Sequence, residues 1–158
     1  MKKQEKTNVM RLLEQQGAAY QSHCYLETGV ISGPEVAAAL GQDPERVFKT
    51  LVTEGRSGQH YVFVIPVERE LDLKKAAAAA GEKSIAMVKA KELLPLTGYV
   101  HGGCSPIGMK KPFPTFLDES AILFDKILFS AGKIGWQVET APDELEKLVP
   151  FRYADLCD

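Results

Sequence analysis

No run in the 158 residues approaches the roughly 18 consecutive apolar positions needed to cross a bilayer. The start, Met1-Lys2-Lys3-Gln4-Glu5-Lys6, is charged with no apolar stretch behind it, so neither an anchor nor a secretory signal is expected. Cysteine is scarce as well. Cys24, Cys104 and Cys157 are odd in number, widely spaced and free of any CxxC pattern, which excludes a disulfide framework and leads us to expect reduced thiols in a soluble, cytoplasmic protein. Charge of one sign is lacking: a formal net charge of −2 gives no general pull on nucleic acid, so any RNA contact must be a local patch or be shared with a partner protein. GxSxG, HExxH, the phosphate-loop pattern, internal repeats and linkers are also absent. What remains, 45% apolar and 25% charged, fits a single globular domain over residues 1–158.

Val9, Leu12, Leu13 and Gln16 recur at helical spacing within residues 6–16, and Gly17 stops the run. Over residues 19–26 the period is two, so a strand follows. Ser32-Gly33-Pro34-Glu35 has capping-box spacing, in which hydroxyl and carboxylate each satisfy an orphan amide, and predicts a short helix through residues 36–40. Residues 47–53 and 61–67 read as a hairpin around Gly55-Arg56-Ser57-Gly58. Its second member is apolar on both faces and belongs at the sheet centre. Asp72 can cap a helix through the alanines 76–80, small enough to pack closely on a sheet, with Gly81 as the stop. A short strand at 85–88 and a helix at 90–94 ended by Pro95 lead into an irregular loop, 98–108. Strands at 115–117, 127–130 and 136–139, a turn at 132–135 and a helix at 142–148 capped by Thr140 complete the chain. Interspersed helices and hairpins predict a mixed α/β fold: a mostly antiparallel mixed sheet or open barrel with flanking helices.

Lys49 interrupts the apolar pattern between Val47 and Leu51. It is either a lysine snorkelling from an edge strand or a cation lining a pocket for an anionic or carbonyl group. The 98–108 loop holds four glycines, which let backbone amides approach a ligand closely enough to form an oxyanion hole, though a tight structural connection would read the same. Lys110-Lys111 could meet a phosphate backbone beside it. His101 and Cys104 are three apart and suggest a metal half-site or a Cys–His pair, joined by His23 or Cys24. Those last two are adjacent in a strand and point to opposite faces, so we expect no metal and no cofactor. Asp118-Glu119 and Glu144 to Glu146 fit turns and exposed helix faces.

Taken in order, Phe48-Lys49-Thr50-Leu51, Leu71-Asp72-Leu73-Lys74-Lys75, the segment from Thr97 through Gly102-Gly103-Cys104-Ser105-Pro106-Ile107-Gly108, and Phe129-Ser130-Ala131-Gly132-Lys133 resemble the YbaK family of tRNA-editing proteins over nearly the whole chain. The resemblance implies a mixed α/β editing fold and removal of a mischarged amino acid from the CCA end of tRNA, cysteine from proline tRNA in the branch these motifs are most similar to. Prolyl-tRNA synthetase is the implied partner. Lys49 matches the family's essential lysine, Gly102 and Gly103 the backbone at the terminal adenosine and ester, and Tyr25 the strand tyrosine near the substrate. Ser105, Pro106 and Gly108 of the GG-x-SP-[IL]-G element, with Ser130 and Gly132 of the S-x-GK element, are the further substrate-binding positions implied.

Two departures stand out: Gln137 replaces a residue often acidic in the family, and residues 26–33 lack the usual histidine-rich run. In the cysteine-specific branch, the resemblance implies that the substrate's own thiol attacks its ester carbonyl and releases a cyclic thiolactone. A thiol of pKa about 8.5 is a few per cent ionised at neutral pH, and a nearby cation such as Lys49 raises that share. Two alternatives remain open: an editor of alanine or serine esters using water, and a non-catalytic tRNA- or synthetase-binding regulator.

Overall fold

The computed structural model describes residues 6–30 and 32–158; the charged start and Ile31 lie outside the described residues. Eight strands are present among them: β1 (Gln21–Cys24), β2 (Phe48–Gly55), β3 (His60–Pro66), β4 (Ile85–Met87), β5 (Thr115–Asp118), β6 (Ile127–Ser130), β7 (Trp136–Thr140) and β8 (Phe151–Ala154). Five α-helices accompany them: α1 (Asn8–Gln15), α2 (Gly33–Ala39), α3 (Leu73–Ala80), α4 (Ala90–Thr97) and α5 (Pro142–Glu146). The strands form a three-stranded sheet, β1-β7-β6, and a five-stranded sheet, β4-β2-β3-β5-β8. A parallel bridge between Val47 and Leu128 joins the two. The hairpins β2–β3 and β6–β7 are antiparallel, while β3–β5 and β5–β8 pair in parallel, so the sheet is mixed as the sequence predicts.

β3 lies in the middle of its sheet because both of its faces are apolar. Val62 and Val64 enter the larger core with Val9, Leu13, Phe48, Phe129 and Val138. Phe63 and Ile65 point the other way, onto Ala76 and Ala77 of α3. Asp72 starts α3 by accepting hydrogen bonds from the Lys74 and Lys75 amides, and Gly81 ends it at φ 74°, where a side chain would be strained. The alanine run therefore serves close packing of helix on sheet.

Several expectations at element ends are corrected. β1 stops at Cys24, and residues 26–28 turn into a 3-10 helix. Ser32 donates its hydroxyl proton to Glu35 Oε1 at 2.7 Å instead of capping an amide, so the two capping-box side chains bond to each other. α4 runs through Pro95 to Thr97: the proline removes one intrahelical donor, and the bonds from Gly98 N–H to the Leu94 carbonyl and from Thr97 Oγ1 to the Leu93 carbonyl close the end. Thr140 does not cap α5, because its buried hydroxyl donates to the Ala19 carbonyl at 2.6 Å. β8 has no counterpart in the sequence reading; Phe151–Ala154 is a strand because β5 offers it an edge.

Candidate active site

The site grows from strand register. His23 of β1 stands opposite Gln137 of β7, and Gln137 stands opposite Ser130 of β6. Directly opposed residues share a face, so these three form one row. Val47 bridges Leu128 in parallel, and two residues further along both chains, on the same faces, come Lys49 and Ser130. The row His23, Gln137, Ser130, Lys49 thus crosses four strands from two sheets. α2 covers one end of this face through Ala37 and Leu40 on Val47, Val67 and Leu128, and α3 covers the other through Ala76 and Ala77 on Phe63 and Ile65. Lys49 emerges in the gap, partly buried, with no ion-pair partner among the described residues. Lys49 pairs with Ile65 of β3 on one side, and on the other the Val47–Leu128 bridge brings β6 alongside, so it does not lie on an open edge.

The glycine loop is tied to this row through Ser130. Its Oγ donates to the Gly103 carbonyl at 3.0 Å and accepts from the Gly132 amide at 3.1 Å. A Cβ at Gly103 would sit 3.3 Å from the Ile134 amide nitrogen, a tight contact that the backbone must shift by a few tenths of an ångström to accept. Its own N–H is held by the Val100 carbonyl at 3.0 Å. Gly102, exposed and at φ 90°, has an N–H without a partner among the described residues. Of the two amides considered from the sequence, only that of Gly102 is free to meet a ligand.

The remaining loop positions shape the backbone. Ser105 is fully buried, and its Oγ accepts from the Ile107 amide at 3.3 Å. Pro106 is buried beside it, while Gly108, at φ 78°, and Gly132, at φ 90°, leave room for the Tyr99 ring. Tyr99 donates its hydroxyl proton to the Ile107 carbonyl. Tyr25 is 3% exposed yet joins none of the apolar cores; its N–H donates to the Gly135 carbonyl at 2.8 Å, extending the β1–β7 ladder by one bond.

Sequence reasoning missed a charged cluster on the same face. Glu139 Oε1 lies 2.8 Å from His23 Nε2, and Arg46 Nη2 donates to Glu139 Oε2 at 2.5 Å. Burial alone would raise the Glu139 carboxyl, but the hydrogen bonds from His23 and Arg46, with the Arg46 charge, outweigh it and hold the group below its ordinary value. His23 and Glu139 lie 116 positions apart, so only the β1–β7 register brings them together.

Neither buried cysteine is poised as a thiolate nucleophile. Burial pushes the Cys104 thiol up to about 12, and the same cause raises Cys157 to about 12. Cys24 is exposed but points away from the His23 face. His101 is exposed, and no group of three or more metal-ligating side chains occurs among the described residues. Two cavities lie elsewhere. One of about 390 Å³ is lined by Pro106, Gly108, Lys111, Phe113 and Leu148. Another of about 590 Å³ surrounds Arg69, Lys75, Asp118, Ser120 and Asp155, where both cations are paired: Lys75 to Asp155 at 3.0 Å and Arg69 to Glu45 at 3.3 Å. The Lys49 row is the candidate site because, among the described residues, it carries an unpaired cation and the unpartnered Gln137 Oε1, whereas both cations of the second cavity are already paired.

Comparison with known proteins identifies the family to which this mixed α/β fold belongs. Residues 30–148 match the aminoacyl-tRNA editing domain. The chain belongs to that family. It is 46% identical over 156 residues, 98% of this chain and 95% of the relative, to a protein of Enterococcus faecalis named "Putative Cys-tRNA(Pro)/Cys-tRNA(Cys) deacylase EbsC". Over 76 residues, 48% of this chain and 13% of the relative, it is 37% identical to a proline–tRNA ligase of Thermosipho melanesiensis. Among solved structures, one described as a "putative trans-editing enzyme for prolyl tRNA synthetase" superposes with a TM-score of 0.82 at 27% identity, covering 98% of this chain and 99% of that one. A second, hypothetical protein APE2540, shares the fold with a TM-score of 0.86 at 24% identity, covering 95% and 99%.

Proposed function

We propose that this protein removes cysteine mischarged onto proline tRNA, using the substrate's own thiol as the nucleophile. The observation that carries this reading is a site with an unpaired cation and no available protein nucleophile: Lys49 is free, Cys104 is buried with a raised pKa, and the Ser130 and Ser105 hydroxyls are hydrogen-bonded within the loop. In the reaction the cysteinyl sulfur loses its proton and bonds to the ester carbonyl carbon. The carbon–oxygen bond to the ribose breaks, the ribose oxygen takes up a proton, and a cyclic thiolactone leaves free tRNA behind. Lys49 favours the thiolate and the charge developing on the carbonyl oxygen, and the Gly102 N–H is the available backbone donor to that oxygen. Holding the thiol against its own ester gains effective molarities of about 10⁵ M or more, so positioning can replace a protein base.

Prolyl-tRNA synthetase is the proposed partner that presents the tRNA. The net charge of −2 gives little affinity for tRNA alone, and the chain is similar to a segment of proline–tRNA ligases. A panel of tRNAs charged with cysteine, alanine, serine and proline tests the reading. Release of cysteine from Cys-tRNA(Pro) is expected, and preferential release of alanine or serine, whose esters cannot form a thiolactone, would replace it with a water-using editor. Binding of tRNA without release of any of them would leave a regulator.

A further inference from the structure

Gln137 sits at the middle of the row and is 7% exposed, yet its Oε1 has no hydrogen-bond partner among the described residues. Folded proteins rarely leave a buried acceptor unmatched, because the water it loses is then not replaced. Three of the donors around it are committed elsewhere, and Lys49 does not bond to it. Ser130 gives its hydroxyl proton to Gly103, His23 Nε2 faces Glu139, and Arg46 points to Glu139 and to the Lys126 carbonyl at 3.3 Å. The two other orphan atoms on these strands, Thr50 Oγ1 and Trp136 Nε1, lie by alternation on the opposite face. Gln137 Oε1 is therefore a buried acceptor on the row of the candidate site that meets no donor among the described residues.

Building on the deacylase reading, we propose that Gln137 Oε1 accepts a hydrogen bond from the α-amino group of the bound aminoacyl ester, so that the site reads a free amine beside the carbonyl it cleaves. In an aminoacyl ester that amine is carried on the carbon next to the reacting carbonyl. With the carbonyl held by Lys49 and Gly102, this assignment puts the amine on the side of the row where Gln137 stands.

An amide suits this position better than a carboxylate. Neighbouring strands are about 4.8 Å apart, so position 137 lies about 10 Å of backbone from Lys49, within the combined reach of two long side chains. A carboxylate would pair with the Lys49 ammonium and withdraw its charge from the ester; glutamine accepts from the substrate and leaves that charge free.

The experiment compares single-turnover cleavage of tRNA(Pro) carrying cysteine with tRNA(Pro) carrying 3-mercaptopropionate, which keeps the thiol and the ester and lacks the amine. The wild-type protein should prefer the cysteinyl ester by about 10- to 100-fold in kcat/KM, the range expected for one hydrogen bond to a charged donor. Gln137→Met, of similar size with no acceptor, should erase that preference while leaving the mercaptopropionyl rate nearly unchanged. Gln137→Glu should keep the preference and slow both substrates. Equal cleavage of the two esters by the wild type would overturn the assignment, as would an equal slowing of both by Gln137→Met, the pattern expected if the atom served a ribose hydroxyl, a water or packing. If the wild type cleaves a different aminoacyl ester of the panel, the same comparison is made with that ester and its desamino partner. If it cleaves none, the deacylase reading falls and takes this assignment with it.

Discussion

The Ser130 hydroxyl donates to the Gly103 carbonyl at 3.0 Å, fastening the glycine loop to the strand that runs beside Lys49. One hydrogen bond thus couples a segment without regular structure to the rigid part of the fold, and positioning is what the proposed chemistry depends on.

Ser130→Ala leaves the buried Gly103 carbonyl without its donor and the Gly132 amide without its acceptor. We expect a stability loss of about 1–3 kcal/mol and a fall in kcat of about tenfold or more, with KM less affected. Thermal unfolding and steady-state deacylation measure both; an unchanged kcat would show that the loop needs no fastening.

Gly103→Ala places a Cβ 3.3 Å from the Ile134 amide nitrogen, and Gly102→Ala forces a side chain into a residue at φ 90°. Each should lower deacylation more than stability, at a strain of about 1–2 kcal/mol, because the loop is exposed on its outer side and can shift without unfolding the sheets. Crystal structures of the variants alongside rate measurements check this.

Cys104→Ala removes a buried thiol that burial holds near a pKa of about 12. Deacylation should stay within about threefold of the wild type, with a stability loss of about 1 kcal/mol from the small cavity. Abolished activity in a folded Cys104→Ala protein would restore an enzyme-nucleophile mechanism.

Glu139 links His23 and Arg46, and its carboxyl is held below the ordinary glutamate value of about 4.3. A folded-state pKa below the unfolded one stabilises the protein above the unfolded value, and that contribution is lost as pH falls through the folded value. Wild-type stability should therefore decline below about pH 4.3 more steeply than that of Glu139→Gln, which should be less stable at neutral pH by about 1–3 kcal/mol because Arg46 loses its anionic partner. Urea titrations at pH 3 to 7 follow the difference.

Much of this fold was legible because local chemistry and tertiary context agree. Val62 and Val64 against Phe63 and Ile65 announce a central strand, and Asp72 with Gly81 brackets α3 in sequence as in structure. Local cues misled where another group competed for the same atom: the distant Ala19, 121 positions away, takes the Thr140 hydroxyl, and the nearby Glu35 takes that of Ser32. Pro95 was read as a stop because proline usually breaks a helix, yet in the last turn it removes only one donor. At the site, Lys49 and the 98–108 loop declared themselves as pattern breaks. The link from Glu139 to His23 and Arg46, and the isolation of Gln137, depend on register across four strands that no local pattern encodes.

The role of Lys49 is tested most directly by single-turnover deacylation of Cys-tRNA(Pro) with wild-type and Lys49→Ala protein, with thermal unfolding as the control for folding. Lys49 carries no internal ion pair among the described residues, so its removal should leave stability nearly unchanged while slowing cysteine release by about 100-fold or more. A folded Lys49→Ala protein that releases cysteine at close to the wild-type rate would contradict the mechanism.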